Sequence, residues 1–246
     1  MIDQRVAIVT GGTRGIGAAI SSALARSGVY VAAGYSRNQS AAEHLARKLS
    51  AEGASVSVHQ GNVGVPEDCQ RVVGEVLAAT GRVDYLVNNA GITLDKTMRK
   101  MTVEDWHAVL RINLSGTFYM CKAVLEHMLE RQFGRIVNIS SVVGQKGNIG
   151  QVNYAASKSG LFGLTRSLAR EVARKGITVN CVAPGYIETE MVATVPANIT
   201  EKIVAGIPVG RVGQAHEISR AVQFLVDDDA GYVTGSVISV NGGMDM

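Results

Sequence analysis

Cysteine is scarce in this chain, and the three that occur, Cys69, Cys121 and Cys181, are odd in number and widely spaced. They form no CxxC pair, so neither a disulfide framework nor a thiolate zinc site is written into the sequence; they read as reduced core thiols in a cytosolic setting. The five histidines, His44, His59, His107, His127 and His216, make no ligand pair at helical spacing, and no His-based metal centre is expected. Charge of one sign is lacking too. The 24 basic and 21 acidic residues nearly cancel and form no dense basic block, which argues against a nucleic-acid partner. No apolar run approaches the roughly 18 residues that a membrane span needs, and no basic leader precedes a secretory core. The expectation is a cytoplasmic protein with no membrane partner.

Apolar character is what the chain has. Hydrophobic residues make up 46% and charged residues 18%, enough for a large core and too few charges for disorder. A length of 246 residues fits one α/β domain spanning 1–246.

The chain alternates between two periods. The runs 5–10, 29–34, 55–63, 85–91, 134–140, 178–184 and 237–243 are β-branched and short, as strands are; 16–26, 40–52, 66–80, 103–130, 154–175 and 215–227 carry helical spacing. Without an internal repeat or flexible linker, this alternation argues one doubly wound parallel sheet. Residues 185–215 interrupt it: glycines and prolines bracket weak helical segments, as expected of a mobile cover over a site.

The first strand runs into GGTRGIG, where Gly11, Gly15 and Gly17 make G-x-x-x-G-x-G at the start of a helix. Such glycines permit a tight turn and close backbone approach to a diphosphate, which the helix N-terminus attracts. A dinucleotide site often carries an acid about 20 residues further on for the ribose 2′-hydroxyl, whereas arginine suits a 2′-phosphate. Here the second strand ends in Tyr35-Ser36-Arg37 and Arg14 sits inside the glycine loop, so NADP(H) is expected in preference to NAD. Asn88, Ala90 and Gly91 follow the fourth strand, where the ligand crevice should open; Asn88 fits a ligand contact and a turn-stabilising amide equally. Asn113 stands inside a helical stretch it does not favour, which suggests a local distortion or a use.

Ser141 ends the fifth strand, thirteen residues ahead of Tyr154, and Lys158 follows Tyr154 by one helical turn. On a helix those two lie on one face, about 5–6 Å apart at Cβ. A neighbouring ammonium should lower the phenol's pKa toward a range useful for proton donation, and a serine hydroxyl can hold a carbonyl oxygen. Taken alone, a YxxxK pair is common by chance and is more often a half-buried tyrosine with a solvated lysine.

In order and spacing, TGGTRGIG, NNAG, the Asn113 helix, Ser141, Tyr154-AAS-Lys158 and PGYIET (184–189) resemble the short-chain dehydrogenase/reductase family over the whole chain. The resemblance implies a single Rossmann-type sheet of about seven strands with helices on both faces. It implies Tyr154 as proton donor and Ser141 as the residue that orients the substrate carbonyl. Lys158 would bind the nicotinamide ribose, and Asn113 would hold a relay water behind it. Gly11, Arg14, Gly15, Ile16, Gly17, Tyr35, Ser36, Arg37, Val63, Asn88, Ala90, Gly91, Tyr154, Lys158, Pro184, Gly185, Ile187 and Thr189 would contact the cofactor, NADPH or NADP. Asn62 departs from the family's usual adenine-contacting aspartate, and an amide can also serve there.

Within the family, SSVVGQKGNIGQVNYAASK and APGYIETEM resemble bacterial reductases of 3-oxoacyl thioesters, carried on coenzyme A or on acyl carrier protein. By that resemblance Gln145, Gln151 and Tyr186 line an acyl pocket beside Ser141 and Tyr154, although ordinary loop packing would account for them too. A homotetramer is implied, with the helices around 113–130 and 154–174 as pairing faces. Two other readings remain open: a dehydrogenase or ketoreductase acting on another carbonyl, and a non-catalytic NADP-sensing protein.

Overall fold

A computed structural model describes residues 2–188 and 197–246. Nine strands are placed among them: β1 (Val6–Val9), β2 (Tyr30–Tyr35), β3 (Val56–Gln60), β4 (Tyr85–Asn88), β5 (Gly134–Ile139), β6 (Ile177–Pro184), β7 (Ile187–Glu188), β8 (Gly213–Gln214) and β9 (Val237–Val240). The helices are α1 (Gly15–Arg26), α2 (Gln39–Ala51), α3 (Pro66–Thr80), α4 (Val103–Leu110), α5 (Gly116–Arg131), α6 (Val142–Lys146), α7 (Val152–Val172), α8 (Ala197–Ala205) and α9 (Ala215–Val226).

Seven strands form one parallel sheet in the order β3-β2-β1-β4-β5-β6-β9. The order reverses at β1 and β4, so the crevice outside their carboxyl ends is the expected ligand position in an open α/β sheet. Strands such as VAIV (6–9) and GRIVNI (134–139) are buried along their whole length, because helices cover both faces and leave no solvent side for alternation. On one face Ile20, Leu24, Leu45, Leu49, Ile218, Val222 and Leu225 pack on Ala7, Val9 and Val31. On the other, Cys69, Val73, Val76, Met120, Val124 and Met128 pack on Ile8, Leu86 and Ile136. All three thiols are free and buried.

One strand boundary changes, and two local expectations gain detail. β3 stops at Gln60 rather than running to 63, because Asn62 turns the chain: its carbonyl accepts from Val65 N at 2.9 Å and its Oδ1 from Gly64 N at 3.0 Å. The helical run 103–130 is interrupted by a π turn at Arg111–Ser115. The segment expected as a cover contains, in its described part, α8 and the two-stranded parallel ladder of β7 with β8; Thr189 lies outside the described residues.

At the amino-terminal edge of the sheet one carboxylate joins strands. Asp84 is 1% exposed. It accepts from Val6 N at 2.8 Å, from Arg82 Nε and Nη2 at 2.8 and 2.7 Å, and from Arg5 Nη1 at 3.3 Å. Its own N–H returns to Val6 O at 2.8 Å. Asp84→Ala removes the shared acceptor and strands four N–H donors on three residues, so chemical denaturation should give a stability loss of about 2–3 kcal/mol. A loss under about 0.5 kcal/mol, typical of an ordinary surface change, would show that the arginines are satisfied by solvent instead.

Candidate functional site

The glycine loop is shaped by what its residues lack. Gly11 and Gly15 hold φ of +59° and +49°, a left-handed conformation that costs any other residue. A Cβ on Gly17 would lie 2.1 Å from Gly11 O and 2.5 Å from Asn89 Nδ2, so α1 can approach the loop this closely only through glycine. α1 begins after Arg14 with no side-chain cap and no acid in its first turn, which leaves its leading N–H groups and their positive partial charge for an anion. Gly12 N donates to Gly34 O at 2.9 Å, and Ile16 packs its side chain on the core. An open, acid-free cradle facing the crevice fits the diphosphate of a dinucleotide.

The loop after β4 is stitched to this cradle by residues that the motif reading did not single out. Thr10 Oγ1 accepts from both Asn89 N and Ala90 N at 3.0 Å, while Asn89 Nδ2 donates to Thr10 O at 3.0 Å and Gly11 O at 3.1 Å. The side chain of Asn88 is buried, and its Oδ1 has no partner among the described residues. The residue is 3% exposed, and its Nδ2 donates to Asn138 Oδ1 at 2.9 Å and to Cys121 Sγ at 3.4 Å, with Asn138 passing on to Thr165. The alternation of a strand sends Asn88 to the core and leaves Asn89 for the loop.

At the far end of the crevice Tyr35 is half-buried, while Ser36 and Arg37 are exposed, as is Arg14. Gln60 Nε2 donates to Ser36 O at 3.3 Å. Asn62, whose N–H donates to Asp68 Oδ2 at 2.8 Å, holds the turn after β3, and Val63 packs against α5 where a Gly116 Cβ would intrude. Positions 35–37, at the carboxyl end of β2, carry no carboxylate.

The proposed chemistry sits on α6 and α7. Ser141 caps α6: its Oγ accepts from Val143 N at 3.1 Å, leaving its O–H free to donate. Tyr154 is half-buried in the first turn of α7. Burial raises its pKa, the Ser141 hydroxyl facing it pulls the other way, and the Asp95 carboxylate adds to the rise. Lys158, one turn on, is 4% exposed; its Nζ donates to Ile139 O at 2.7 Å and lies 5.7 Å from the centre of the Tyr154 ring. Burial pushes its pKa down to about 8. The expected lowering of the phenol by the ammonium is therefore not what this geometry yields: desolvation dominates both groups and favours the neutral form of each.

Asn113 is fully buried in the π turn. Its Nδ2 donates to Ile92 O at 3.0 Å and Ser157 Oγ at 3.1 Å, and its Oδ1 accepts from Ile92 N at 2.8 Å. Ser157 in turn donates to Tyr154 O at 2.8 Å. Added to Gly91, a Cβ would meet Asn113 Oδ1 at 3.3 Å and Lys158 Nζ at 3.5 Å, so the two groups converge beneath that glycine.

The candidate acyl residues separate. Gln151 Nε2 donates to Asp95 Oδ2 at 2.9 Å at the lip of the crevice. Gln145 instead reaches β9, donating to Ser239 Oγ at 2.8 Å, and is held by that strand. Pro184 ends β6, and Gly185 packs so closely on Asn241 that a Cβ would lie 2.8 Å from its Cα. Tyr186 is half-buried beside Ile187, which is buried in β7. Among the described residues no cluster of three His, Cys, Asp or Glu side chains could hold a metal, and no helix is long and apolar enough to cross a membrane.

Comparison with known proteins is consistent with this arrangement. Residues 5–200 match the family model for short chain dehydrogenase. Acetoacetyl-CoA reductase of Shinella zoogloeoides is 52% identical over 241 residues, 98% of each chain, and that of Rhizobium meliloti is 51% identical over the same span. The 3-oxoacyl-[acyl-carrier-protein] reductase of Escherichia coli is 46% identical over 244 residues, 99% of this chain and 98% of the relative.

Lys158 gives the site a stability signature with a definite sign. Its folded pKa is depressed from 10.5 to about 8, so below about pH 8 the fold carries a buried charge, and that penalty is relieved as pH rises toward 10.5. Lys158→Met should therefore melt above the wild type at pH 7, and the gap should shrink between pH 8 and pH 10. A gap that stays constant or widens would show that the ammonium is not held against burial.

Proposed function

This chain belongs to the short-chain dehydrogenase family, and on that premise we propose that it is an oxidoreductase reducing the 3-oxo group of an acyl thioester to the 3-hydroxyacyl product with NADPH. The observation that carries the reading is the convergence of Ser141, Tyr154, Lys158 and Asn113 at the carboxyl edge of the sheet, next to a glycine cradle no other residue type could form. The carbonyl chemistry is that named for the acetoacetyl-CoA and 3-oxoacyl-carrier reductases with which it shares about half of its residues.

When bound, the cofactor supplies a hydride. The Ser141 O–H, freed by the Val143 cap, donates to the substrate's carbonyl oxygen and holds the 3-carbon in line. Tyr154 gives its proton to that oxygen as negative charge develops there; burial, which keeps the phenol protonated, suits donation in the reducing direction. Lys158, held by Ile139 O, stands ready for the nicotinamide ribose. Asn113 fixes the backbone of Ile92 against α7, and the relay water expected of it would lie behind Lys158.

The glycine cradle, Ile16, Ala90, Gly91, Pro184, Gly185, Ile187 and Thr189 complete the cofactor contacts. Tyr35, Ser36, Asn62 and Val63 take the adenosine, and Arg14 and Arg37 take the 2′-phosphate. Gln151 and Tyr186 take the acyl thioester under a cover formed around 185–215. The protein is a single-domain cytoplasmic homotetramer in this reading, which light scattering would test.

Tyr154→Phe should lower kcat for acetoacetyl-CoA by about a hundredfold or more while NADPH affinity stays within about twofold; unchanged turnover refutes the assignment. Arg37→Ala should raise KM for NADPH by about tenfold, as loss of a charge-assisted contact does, and leave KM for NADH unchanged. Parallel assays with acetoacetyl-CoA and simple ketones separate a thioester reductase from a general ketoreductase, which would turn over both.

A further inference from the structure

At the edge of the sheet opposite the crevice, where β5 and β6 begin, lies a second cavity of about 270 Å³, lined by Gln132, Phe133, Arg135, Thr178, Gly231 and Thr234 among others. Arg135 and Thr178 are register partners on the adjacent parallel strands, so their side chains leave the same face side by side. Both are deeply buried, at 5% and 4% exposure.

The guanidinium of Arg135 is incompletely matched. Its Nε donates to Asp227 O at 3.4 Å, its Nη1 to Gly134 O at 3.0 Å and Gly176 O at 3.1 Å, and its Nη2 to Asp228 O at 3.4 Å. These acceptors are all main-chain carbonyls, two of them distant, and one of the five N–H groups has no acceptor among the described residues. The Asp228 carboxylate is engaged by Arg5 Nη2 at 2.8 Å, and both guanidinium groups lie over the Phe133 ring, 3.9 Å from its centre for Arg5 and 4.5 Å for Arg135. Burial, the dominant influence, pulls the Arg135 pKa below its ordinary value. Beside it, the Thr178 hydroxyl is buried with no partner among the described residues. The Thr234 hydroxyl accepts from Val179 N at 3.1 Å, which leaves its O–H free to donate. Arg135 feels the Asp227 and Asp228 carboxylates but forms no ion pair among the described residues; a buried charge without a direct counter-ion and an orphaned buried hydroxyl each call for a partner, and here the two adjoin in one cavity.

We propose that this cavity binds a small oxyanion, of phosphate or carboxylate chemistry, between the Arg135 guanidinium and the Thr178 hydroxyl. The site is about 20 Å from Ser141 along β5, and an anion there would tie β5 and β6 to the turn at 228–231. It does not depend on the reductase reading.

The test is a titration of 15N-labelled protein with inorganic phosphate, and in parallel with acetate, at constant ionic strength, with and without saturating NADP. The expected result is a saturable shift of amides at 133–135, 176–178 and 231–235 that NADP leaves unchanged. Phosphate saturating alone assigns a phosphate site, and acetate saturating alone a carboxylate site. Thr178→Val should weaken binding about ten- to a hundredfold, the weight of one hydrogen bond to a charged group, and Thr178→Ser should restore it. No saturation by either anion would mean that the cavity holds water only and would overturn the proposal. So would shifts confined to the glycine loop and displaced by NADP, or Thr178→Val binding as tightly as wild type. Should Thr178→Val fail to fold, the wild-type shift map decides alone.

Discussion

The side-chain amide of Asn113 is the contact on which the crevice depends. It meets both polar groups of Ile92's backbone and reaches Ser157 on α7, so one side chain joins the loop after β4 to the helix that carries Tyr154 and Lys158. An amide can do this because it offers donor and acceptor from one planar group; aspartate or leucine would leave Ile92 unmatched in a buried place. The π turn is the backbone's accommodation of that demand. One extra residue in the turn swings Asn113 inward, in keeping with the frequent placement of such bulges at functional sites.

A tension follows between folding and chemistry. The sheet's carboxyl edge buries an ammonium and a phenol, and both are shifted by desolvation toward neutrality. A folding-optimised sequence would put apolar groups at both positions. The lysine's compensation is one carbonyl, that of Ile139, in the strand that delivers Ser141. Ile139 is the last residue of β5 and Ser141 follows it by two positions on the same buried stretch of chain, so the geometry of the pair is set where β5 ends.

Much of this was legible in the residues. The alternation of β-branched runs with helical spacing placed the seven strands of the parallel sheet, because a sheet covered on both faces demands unbroken apolar strands. Glycine spacing located the cradle, since only glycine tolerates both the positive φ at Gly11 and the 2.1 Å approach behind Gly17. What was not legible depends on partners distant in sequence. Asn88 and Asn89 are adjacent and chemically identical, and only the point at which β4 ends sends one to Asn138 and the other to Thr10. Gln145 has the character of a pocket residue, yet Ser239 on β9, 94 residues further along, claims it. The depressed lysine followed from burial depth, which spacing does not reveal.

The pairing of β9 with β6 has an outcome for biosynthesis. Cys181 meets Val237 and Pro184 meets Val240, so the strand that ends in the Pro184-Gly185 corner has a bare flank until residues 237–240 have been synthesised and have paired with it. During translation that flank is an open, apolar template for strand addition by any neighbouring nascent chain. Chains cut short before residue 237 would keep it permanently, which makes β9 a guard against aggregation as well as a part of the sheet.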